Sequence, residues 1–434
     1  MTKKTAITGL GMVSPLGFTA EDNWQALLEG KCALGPIKSI DASAMPCQIA
    51  GECEDYKMRD YLPKYHRKAA KLMSRDIELS VMAADDAFRS SGLGTKHIEA
   101  EPAIVPERTA INIGATLINC EIPEIAPSVM KSLTDGKFDM KKWGVDGLAN
   151  LTPLWLLKYL PNMLACHIGI IHDIQGPGNN ITTAECSGAQ ALFETAGIIA
   201  DGLADVGICG SGEATTHPIT LMRAAKQGRL NTQNNESPAD AVRPFSADAC
   251  GTVLSEGAAM CIIELHEAAE ARGAKVYATI EGCGESVSHS DDYTLLEESG
   301  EGLAIAIENA LEEAGISADM IELILPVGSG IAANDAAELN AYKTVFGTAL
   351  AGITILPTKR LLGLMGSASA AADIVIAAKA LSEQKIPGVG VYGKLPAEIN
   401  VNKTTTEKRI RYALCCGFAR GGQTCAVVLK KGGE

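Results

Sequence analysis

Residues 182–190, TTAECSGAQ, place two groups with nucleophilic chemistry next to each other, Glu185 and Cys186. The stretch leads from a short β-branched run into a helical pattern. A strand, a tight turn and a helix that opens on small residues form a common setting for a nucleophile. The free N–H groups at a helix N-terminus stabilise an anion, which suits a thiolate and a carboxylate alike. The residue types therefore leave open which of the two, if either, reacts.

The composition bounds the classes of function. The chain of 434 residues has a formal net charge of −14, so nucleic acid and anionic membrane surfaces would repel it. Its 13 cysteines include no C-x-x-C pair and no Cys/His cluster at zinc spacing, which favours reduced thiols and predicts no metal and no cofactor. No apolar run approaches the roughly 20 residues of a membrane span. We therefore expect a cytoplasmic protein without a membrane span.

Strand-like runs, glycine turns and amphipathic helices alternate along the chain, which is typical of an α/β protein built on βαβ units. The run TAITGLGMV and the run VYATIEGCGESV, from Val276, share apolar alternation followed by a G-x-G turn, and this similarity indicates an internal duplication. We predict two similar halves, residues 1–265 and 266–434, with a surface insertion at about 121–151. Neither G-x-G sequence has the third glycine and the downstream acidic residue of a dinucleotide site.

The same patterns predict individual elements. Strands are expected at residues 110–114, 180–183, 205–209, 321–327 and 352–356, and helices at 187–200, 302–314, 332–345 and 367–381. The final segment, RIRYALCCGFARGGQTCAVVLKK, has two strand-like runs around the turn GFARGG and predicts a hairpin.

Six ordered blocks cover nearly the whole chain: AITGLGMVSPLG, GPGNNITTAECSGAQALFETAGIIADGLADVGICGSGEA, RPFSADACGTVLSEGAA, ILPVGSGIAANDAAELNAY, PTKRLLGLMGSASAAA and LCCGFARGG. They resemble the signature blocks of β-ketoacyl-acyl carrier protein synthases. The resemblance implies an α/β, thiolase-like fold whose duplicated halves form a five-layered αβαβα core, usually in a dimer. In catalytic members of that family a cysteine carries the growing acyl chain as a thioester, and two histidines stabilise the decarboxylating malonyl unit and its enolate.

Matched to this family residue by residue, the chain lacks the condensing machinery. The place of the catalytic cysteine falls on Glu185, and Cys186 comes one residue too late. The places of the two histidines fall on Val327 and Leu364. No histidine follows His289, so no small shift of the match supplies an imidazole to either block.

The lysine and the glutamate of the family are retained as Lys359 and Glu338. The carboxylate of Glu185 cannot form a thioester, and as a buried charge it needs a partner. Where synthases resemble FGFGG, with the second phenylalanine beside the catalytic cysteine, this chain has Arg420. We hypothesise that a salt bridge between Glu185 and Arg420 plugs the former active site, which requires the two side chains to lie within roughly 6 Å.

Basic side chains recur every three or four residues in one segment: Lys64, Arg67, Lys68, Lys71 and Arg75. An apolar stripe from Met73 to Phe88 marks the same segment, so the sequence predicts an amphipathic helix with a basic face. Such a face on an acidic protein would suit the docking of an acidic acyl carrier protein with its phosphopantetheine-bound chain. Similar helices dock the carrier protein in the synthases that this chain resembles. An ordinary solvated face is the alternative.

The altered site leads to three hypotheses. The first is a non-catalytic subunit similar to chain-length factors. Such a subunit pairs with an active ketosynthase, as a heterodimer or heterotetramer of type II polyketide, polyene or specialised fatty acid biosynthesis, and shapes its acyl tunnel. By that resemblance the dimer face and tunnel gate fall on Thr116, Leu117, Ile118, Asn119, Cys120 and Glu121. The second is a thiolase-fold acyltransferase or hydrolase that uses Cys186 or Glu185 differently, and the third is an acyl-binding homodimer.

Overall fold

One large sheet organises the fold. The computed structural model describes residues 3–433. Across them the main sheet has 11 strands: β1 (Thr5–Val13), β2 (Thr109–Gly114), β3 (Gly178–Ile181), β4 (Val206–Glu213), β5 (Gly257–Leu265), β6 (Ala278–Val287), β7 (Leu323–Leu325), β8 (Thr354–Ile355), β9 (Asn400–Val401), β10 (Tyr412–Phe418) and β11 (Gln423–Lys431). The α-helices of the same residues are α1 (Ala20–Leu28), α2 (Met58–Tyr61), α3 (Arg75–Ser91), α4 (Ile122–Lys131), α5 (Met140–Lys142), α6 (Met163–His172), α7 (Ser187–Ala200), α8 (Pro218–Lys226), α9 (His266–Ala271), α10 (Glu301–Ala314), α11 (Ala332–Phe346), α12 (Lys359–Leu362) and α13 (Ala368–Glu383).

The main sheet consists of two halves with the same strand order. The order is β3-β2-β4-β5-β1 in the first half and β8-β7-β10-β11-β6 in the second, with β9 added beside β8. In each half the first three strands of this order are parallel to one another, and the last two are antiparallel to their neighbours. The halves join through antiparallel β1 and β6, where Thr5 lies opposite Ile280. The internal duplication predicted from the sequence is therefore confirmed.

Helices form three layers around the two half-sheets. In the middle layer α7 and α13 pack against each other, and α13 contacts strands of both halves. Outside, α3 with α6 covers the first half, and α10 with α11 covers the second. Every residue from Ala368 to Leu381 of α13 is buried, because protein surrounds this helix on all sides. The result is the expected five-layered αβαβα core of a thiolase-like fold.

The two G-x-G sequences lie inside strands, so the prediction that they form turns is wrong. A Cβ atom added at Gly11 in β1 would lie 1.9 Å from the carbonyl oxygen of Ala83 in α3. A Cβ atom at Gly284 in β6 would lie equally close to the carbonyl oxygen of Ala306 in α10. In both halves glycine therefore lets the outer helix lie directly on the strand, which explains the repeated motif without any ligand.

Most elements predicted from the sequence are present, with shifts at their ends. Helix α7 begins and ends at the predicted residues, whereas β7 and β8 are shorter than predicted. The C-terminal hairpin is present as β10 and β11. The region 121–151 forms α4, a short ribbon and helical turns, with exposed apolar side chains at Met130, Phe138, Met140, Val145 and Leu148. Within residues 3–433, no helix is both long and apolar enough to cross a membrane.

Candidate functional site

The 3-10 turn Ala184–Cys186 carries Glu185 between the end of β3 and the start of α7. Ala184 has a φ of 50°, in the left-handed region that glycine adopts more readily than other residues, so the turn holds a strained backbone. Glu185 is buried, with 6% of its surface exposed. The turn thus directs a carboxylate into the protein interior.

Two arginines from distant segments hold the carboxylate of Glu185. Arg229, which follows α8, donates from Nη2 to Oε1 at 3.0 Å. Arg420, in the turn between β10 and β11, donates its backbone N–H to Oε2 at 3.1 Å, and its Nε lies 3.3 Å from Oε1. The hypothesised pair of Glu185 with Arg420 is therefore close enough for direct charge interaction. Sequence reasoning missed Arg229, which stands in a loop without a recognisable motif.

The charges around Glu185 keep it ionised. Burial opposes ionisation, but the charges of Arg229 and Arg420 outweigh burial and hold the pKa of this carboxyl below its ordinary value. The side chains of Glu185 and Arg229 are 7% and 9% exposed, so water screens their interaction weakly. Two positively charged groups face this one carboxylate. Glu185 is therefore placed to act as a structural anion.

Cys186 is not placed to react. It is fully buried, and its Sγ donates to the carbonyl oxygen of Gln423 at 3.3 Å. Burial raises the pKa of the Cys186 thiol well above its ordinary value, and the neighbouring Cys425 adds to the rise. Since the thiolate is the nucleophile, Cys186 acts as a small core residue. Among residues 3–433, no group of three or more His, Cys, Asp or Glu side chains is arranged to hold a metal ion.

The two positions matched to catalytic histidines hold buried apolar side chains. Val327 follows β7 and Leu364 follows α12, and their exposed fractions are 6% and 2%. The carboxylate of Glu338 accepts the backbone N–H groups of Val327 and Gly328 at 2.7 and 2.8 Å and the hydroxyl of Tyr342 at 2.6 Å. Glu338 therefore fixes the loop after β7.

Lys359 is also held by buried structural contacts. Its Nζ forms an ion pair with Asp373 of α13 and donates to the carbonyl oxygen of Pro326 at 3.0 Å. The two charged side chains are 3% and 1% exposed, and the hydroxyl of Thr358 donates to the same carboxylate at 2.6 Å. Removing either partner of such a buried ion pair leaves the other charge unpaired and is destabilising, so Lys359 has a structural role that links α12 to α13.

The basic segment differs from the prediction of one amphipathic helix over residues 64–88. Arg67–Leu72 forms a 3-10 helix, the chain is extended just before α3, and α3 begins at Arg75. Arg75 turns inward because the buried carboxylate of Glu256 accepts its Nε–H at 2.6 Å. Arg75 therefore does not belong to a basic face. The other four basic side chains are exposed: Lys64, Arg67, Lys68 and Lys71.

The predicted gate residues occupy the segment that follows β2. Leu117 is 62% exposed, whereas Ile118 is buried at 4%. The side-chain amide of Asn119 donates to the hydroxyl of Thr220 at 2.6 Å, which ties the segment to the first turn of α8. Thr116 and Cys120 are half-buried, and Glu121 is exposed. The segment thus combines a surface apolar side chain with polar neighbours.

A second buried carboxylate, Glu213 at the end of β4, lies close enough to feel the charge of Arg420. It accepts the backbone N–H of Ser367 at 2.7 Å, and burial raises its pKa from 4.5 to about 7. The folded protein therefore keeps a proton that the unfolded chain releases, so this group lowers stability as the pH rises from about 4.5 to about 7. Glu185 has the opposite effect, because its stabilisation is present above pH 4.5 and is lost as the pH falls.

We expect Glu213→Gln to remove the first of these pH dependences. The glutamine oxygen still accepts the Ser367 N–H. The free energy of unfolding of the variant minus that of wild type is expected to increase by about 2 kcal/mol from pH 5 to pH 8. Urea denaturation of both proteins at the two pH values measures this change. Glu194→Gln, on the exposed face of α7, is the control. A pH dependence equal to that of wild type would contradict the prediction.

The duplicated half-sheets and the three helical layers define a thiolase-like ketosynthase fold. Family models of β-ketoacyl synthases match the chain in two parts, the N-terminal domain over residues 2–269 and the C-terminal domain over residues 277–390. The chain therefore belongs to the β-ketoacyl synthase family.

Individual relatives agree with this assignment. A 3-oxoacyl-[acyl-carrier-protein] synthase 2 of Synechocystis sp. is 28% identical over 99% of this chain and 98% of its own length. The structure of the ishigamide ketosynthase/chain length factor superposes with a TM-score of 0.84 at 23% identity and covers 100% of both chains. The complex AntDE:AntF, a type II PKS acyl-carrier protein with its ketosynthase bound to the hexaketide, superposes with a TM-score of 0.80 at 22% identity and covers 99% of this chain and 100% of that one. These two structural similarities establish the fold alone.

Proposed function

We propose that this chain is a non-catalytic ketosynthase-like subunit of the chain-length-factor type, which pairs with an active β-ketoacyl-acyl carrier protein synthase and shapes its acyl tunnel. The observation that carries the proposal is the pairing of Glu185 with Arg229 and Arg420 where the family places its cysteine. The paired carboxylate fills the place of a nucleophile without its chemistry. With Val327 and Leu364 at the histidine positions, decarboxylation also lacks its imidazole groups.

The relatives support a role inside a condensing complex. The Synechocystis relative is named as a synthase, and one structural neighbour is described as a ketosynthase/chain length factor. A preserved scaffold with an altered centre is what a partner subunit of such a synthase needs. We place the complex in type II polyketide, polyene or specialised fatty acid biosynthesis in the cytoplasm.

The outer edge of β3 is the surface that we assign to the synthase partner. Within residues 3–433, β3 pairs with β2 on one side and with no strand on the other. The side-chain oxygen of Asn180 in this strand is buried and makes no hydrogen bond. Exposed apolar side chains, Leu117 and Ile122 among them, follow β2 in the chain. An open strand edge and exposed apolar groups suit strand addition by a second subunit.

The exposed basic segment is the surface that we assign to the acyl carrier protein. Lys64, Arg67, Lys68 and Lys71 form a local positive patch on a chain of net charge −14. An acidic partner would be repelled elsewhere and attracted here. The AntDE:AntF complex contains a carrier protein with its ketosynthase, which is the kind of contact proposed.

Co-expression with an intact ketosynthase, which has the catalytic cysteine and both histidines, tests the proposal. We expect this chain, without a tag, to co-purify with the tagged synthase. After incubation with malonyl- and acyl-loaded carrier protein, intact-protein mass spectrometry is expected to find the acyl group on the synthase and none on this chain. Acylation of this chain would overturn the non-catalytic assignment, and separation of the two proteins during purification would overturn the pairing.

Restoring the nucleophile alone is not expected to restore condensation. Glu185→Cys places a thiol at the family position, but Val327 and Leu364 still supply no imidazole to stabilise an enolate. Formation of β-ketoacyl product from acyl- and malonyl-carrier protein is therefore expected to stay at the wild-type background. Product analysis by mass spectrometry measures this, with Glu194→Cys on the exposed face of α7 as the thiol control. Product above the level of that control would contradict the prediction.

A further inference from the structure

The exposed basic segment is held to the rest of the protein by the residues that flank it. The 3-10 helix Arg67–Leu72 buries none of its own side chains. Buried residues stand on either side of it, since His66 is 8% exposed and Met73 is 5% exposed. The backbone N–H of His66 donates to the carbonyl oxygen of Pro63 at 2.9 Å, and the carbonyl oxygen of His66 accepts the N–H of Ala69 at 2.9 Å. The position of the basic side chains therefore depends on how His66 is held.

Helix α6 holds His66 through a second imidazole. The Nε2 atom of His66 lies 3.1 Å from Nδ1 of His167, and the two rings meet edge to face. The preceding residue, Tyr65, donates its hydroxyl to the carbonyl oxygen of Ile171 at 2.8 Å. Tyr65 is exposed, whereas His167 is 3% exposed. The pair of imidazoles is thus the buried part of this attachment.

Two facing ring nitrogens need one proton between them. In the neutral pair one ring donates and the other accepts. A proton on each ring would place two N–H groups in the gap of 3.1 Å, where neither nitrogen can accept. The Nε2 atom of His167 is buried and has no hydrogen-bond partner among residues 3–433, so a charged His167 would also bury an unpaired N–H. Protonation therefore breaks the contact that holds His66.

The surroundings add to this cost. Helix α2 and the 3-10 helix Trp155–Lys158 pack against the segment, and Lys96 and Asp173 lie beside Tyr65. The titratable side chains of these elements, of α6 and of the segment itself are Arg59, Asp60, Tyr61, Lys64, Tyr65, Arg67, Lys68, Lys71, Lys96, Lys158, Cys166, His172 and Asp173. Arg59 pairs with Asp60, and Lys158 pairs with Glu124. Positive groups predominate among the rest, so they disfavour a charged imidazole.

Both rings are neutral near pH 7. Burial lowers the pKa of His66, and burial together with the adjacent His66 ring lowers the pKa of His167 from 6.5 to about 4. Imidazoles in a released segment would titrate near 6.5, so the attached form binds fewer protons than the released form below that pH. Attachment is therefore complete above about pH 6.5 and is lost progressively as the pH falls toward 4.

We infer that the pair of His66 and His167 is a pH-dependent anchor, which positions the basic segment in its attached form and releases it as the pH falls. The meaning of this anchor for the carrier protein rests on the proposed function, which assigns Lys64, Arg67, Lys68 and Lys71 to carrier docking. A released segment must be ordered again on binding, so its release weakens docking. His66 and His167 act as positioning residues.

Hydrogen exchange of the full chain at pH 7.5 and pH 5 tests the inference, with the rates corrected for the intrinsic pH dependence of exchange. From the pKa of His167 alone, we expect the protection of the amides of residues 66–73 to fall about 30-fold between these two pH values. His167→Asn is expected to lose most of this pH dependence, because the asparagine Oδ1 can accept in place of Nδ1 and does not titrate. His66→Ala is expected to remove the protection at both pH values.

His289→Asn is the matched control, because His289 is exposed and lies far along the chain from both members of the pair. This variant is expected to keep the wild-type pH dependence. Equal protection of the wild-type segment at pH 7.5 and pH 5 would overturn the inference, as would a fall in His167→Asn equal to that in wild type.

Binding of the acyl carrier protein separates the anchor from the docking assignment. Calorimetric titration at the two pH values is expected to show a larger loss of affinity at pH 5 for wild type than for His167→Asn. Equal losses of affinity, together with a fall of amide protection in wild type alone, would support the anchor and contradict the docking assignment. Binding at both pH values without any fall of protection would overturn the anchor and leave the docking assignment in place.

Discussion

Glu185→Ala is expected to lower the free energy of unfolding by about 3 to 5 kcal/mol, the cost of breaking a buried ion pair from one side. The substitution leaves the guanidinium groups of Arg229 and Arg420 without the carboxylate that they share. Arg229 is 9% exposed, so water cannot replace the lost partner easily. The two positive charges then also repel each other without an intervening anion.

Urea denaturation followed by tryptophan fluorescence measures this loss. Glu194→Ala is the matched control, because Glu194 lies on the exposed face of the same helix and its removal is expected to change stability by less than about 0.5 kcal/mol. Combining Glu185→Leu with Arg229→Met is expected to recover part of the loss, since apolar side chains of similar size tolerate such a site. Equal stabilities of Glu185→Ala and Glu194→Ala would show that the arginines are satisfied without Glu185.

Gly11→Ala and Gly284→Ala are each expected to cost more than about 3 kcal/mol, at the upper end of the range for overpacked cores. In each case the new methyl group would lie 1.9 Å from a backbone carbonyl oxygen of the covering helix, α3 or α10. A backbone atom cannot move aside as a flexible side chain can, so the whole helix must lift from its strand. The two substitutions are expected to have similar effects because the two halves use the same packing.

Gly197→Ala is the control for these two variants. Gly197 lies within α7, and a Cβ atom there meets nothing within 4 Å. Alanine is expected to stabilise the helix at this position by about 0.5 to 1 kcal/mol. Thermal and urea unfolding of the three variants measure the expected loss of stability for Gly11→Ala and Gly284→Ala and the expected gain for Gly197→Ala. A loss for Gly11→Ala no larger than the change for Gly197→Ala would mean that α3 moves freely away from β1.

The sequence predicted the fold well because its signals are local and repeated. Alternating strand and helix patterns are legible within short windows, and the two G-x-G runs mark corresponding strands of the two halves. The role of these glycines was harder to predict, because two closely spaced glycines can form a turn or can let a helix pack closely on a strand. Only the position of the covering helix distinguishes the two.

The candidate site was predictable in part for a similar reason. The positions of Glu185 and Arg420 follow from the spacing of family blocks. Arg229 lies outside these blocks, so the sequence did not indicate it as a partner of Glu185. Arg75 shows the same limit, because a three-or-four-residue spacing predicts a helical face but cannot reveal a buried carboxylate on another segment. Long-range partners of charged groups depend on burial, which sequence spacing does not encode.

The central place of β1 has a consequence for how the chain folds during synthesis. Thr5 pairs with Leu265 of β5 on one side and with Ile280 of β6 on the other, so both neighbours of the strand are made long after it. At roughly 5 to 20 residues per second, about 15 to 55 seconds pass before these partners leave the ribosome. During that interval the apolar strand has no place in a sheet. Strand β1 thus stays unpaired until more than half of the chain has been made, and five further strands of the sheet, β7 to β11, are made after its partners.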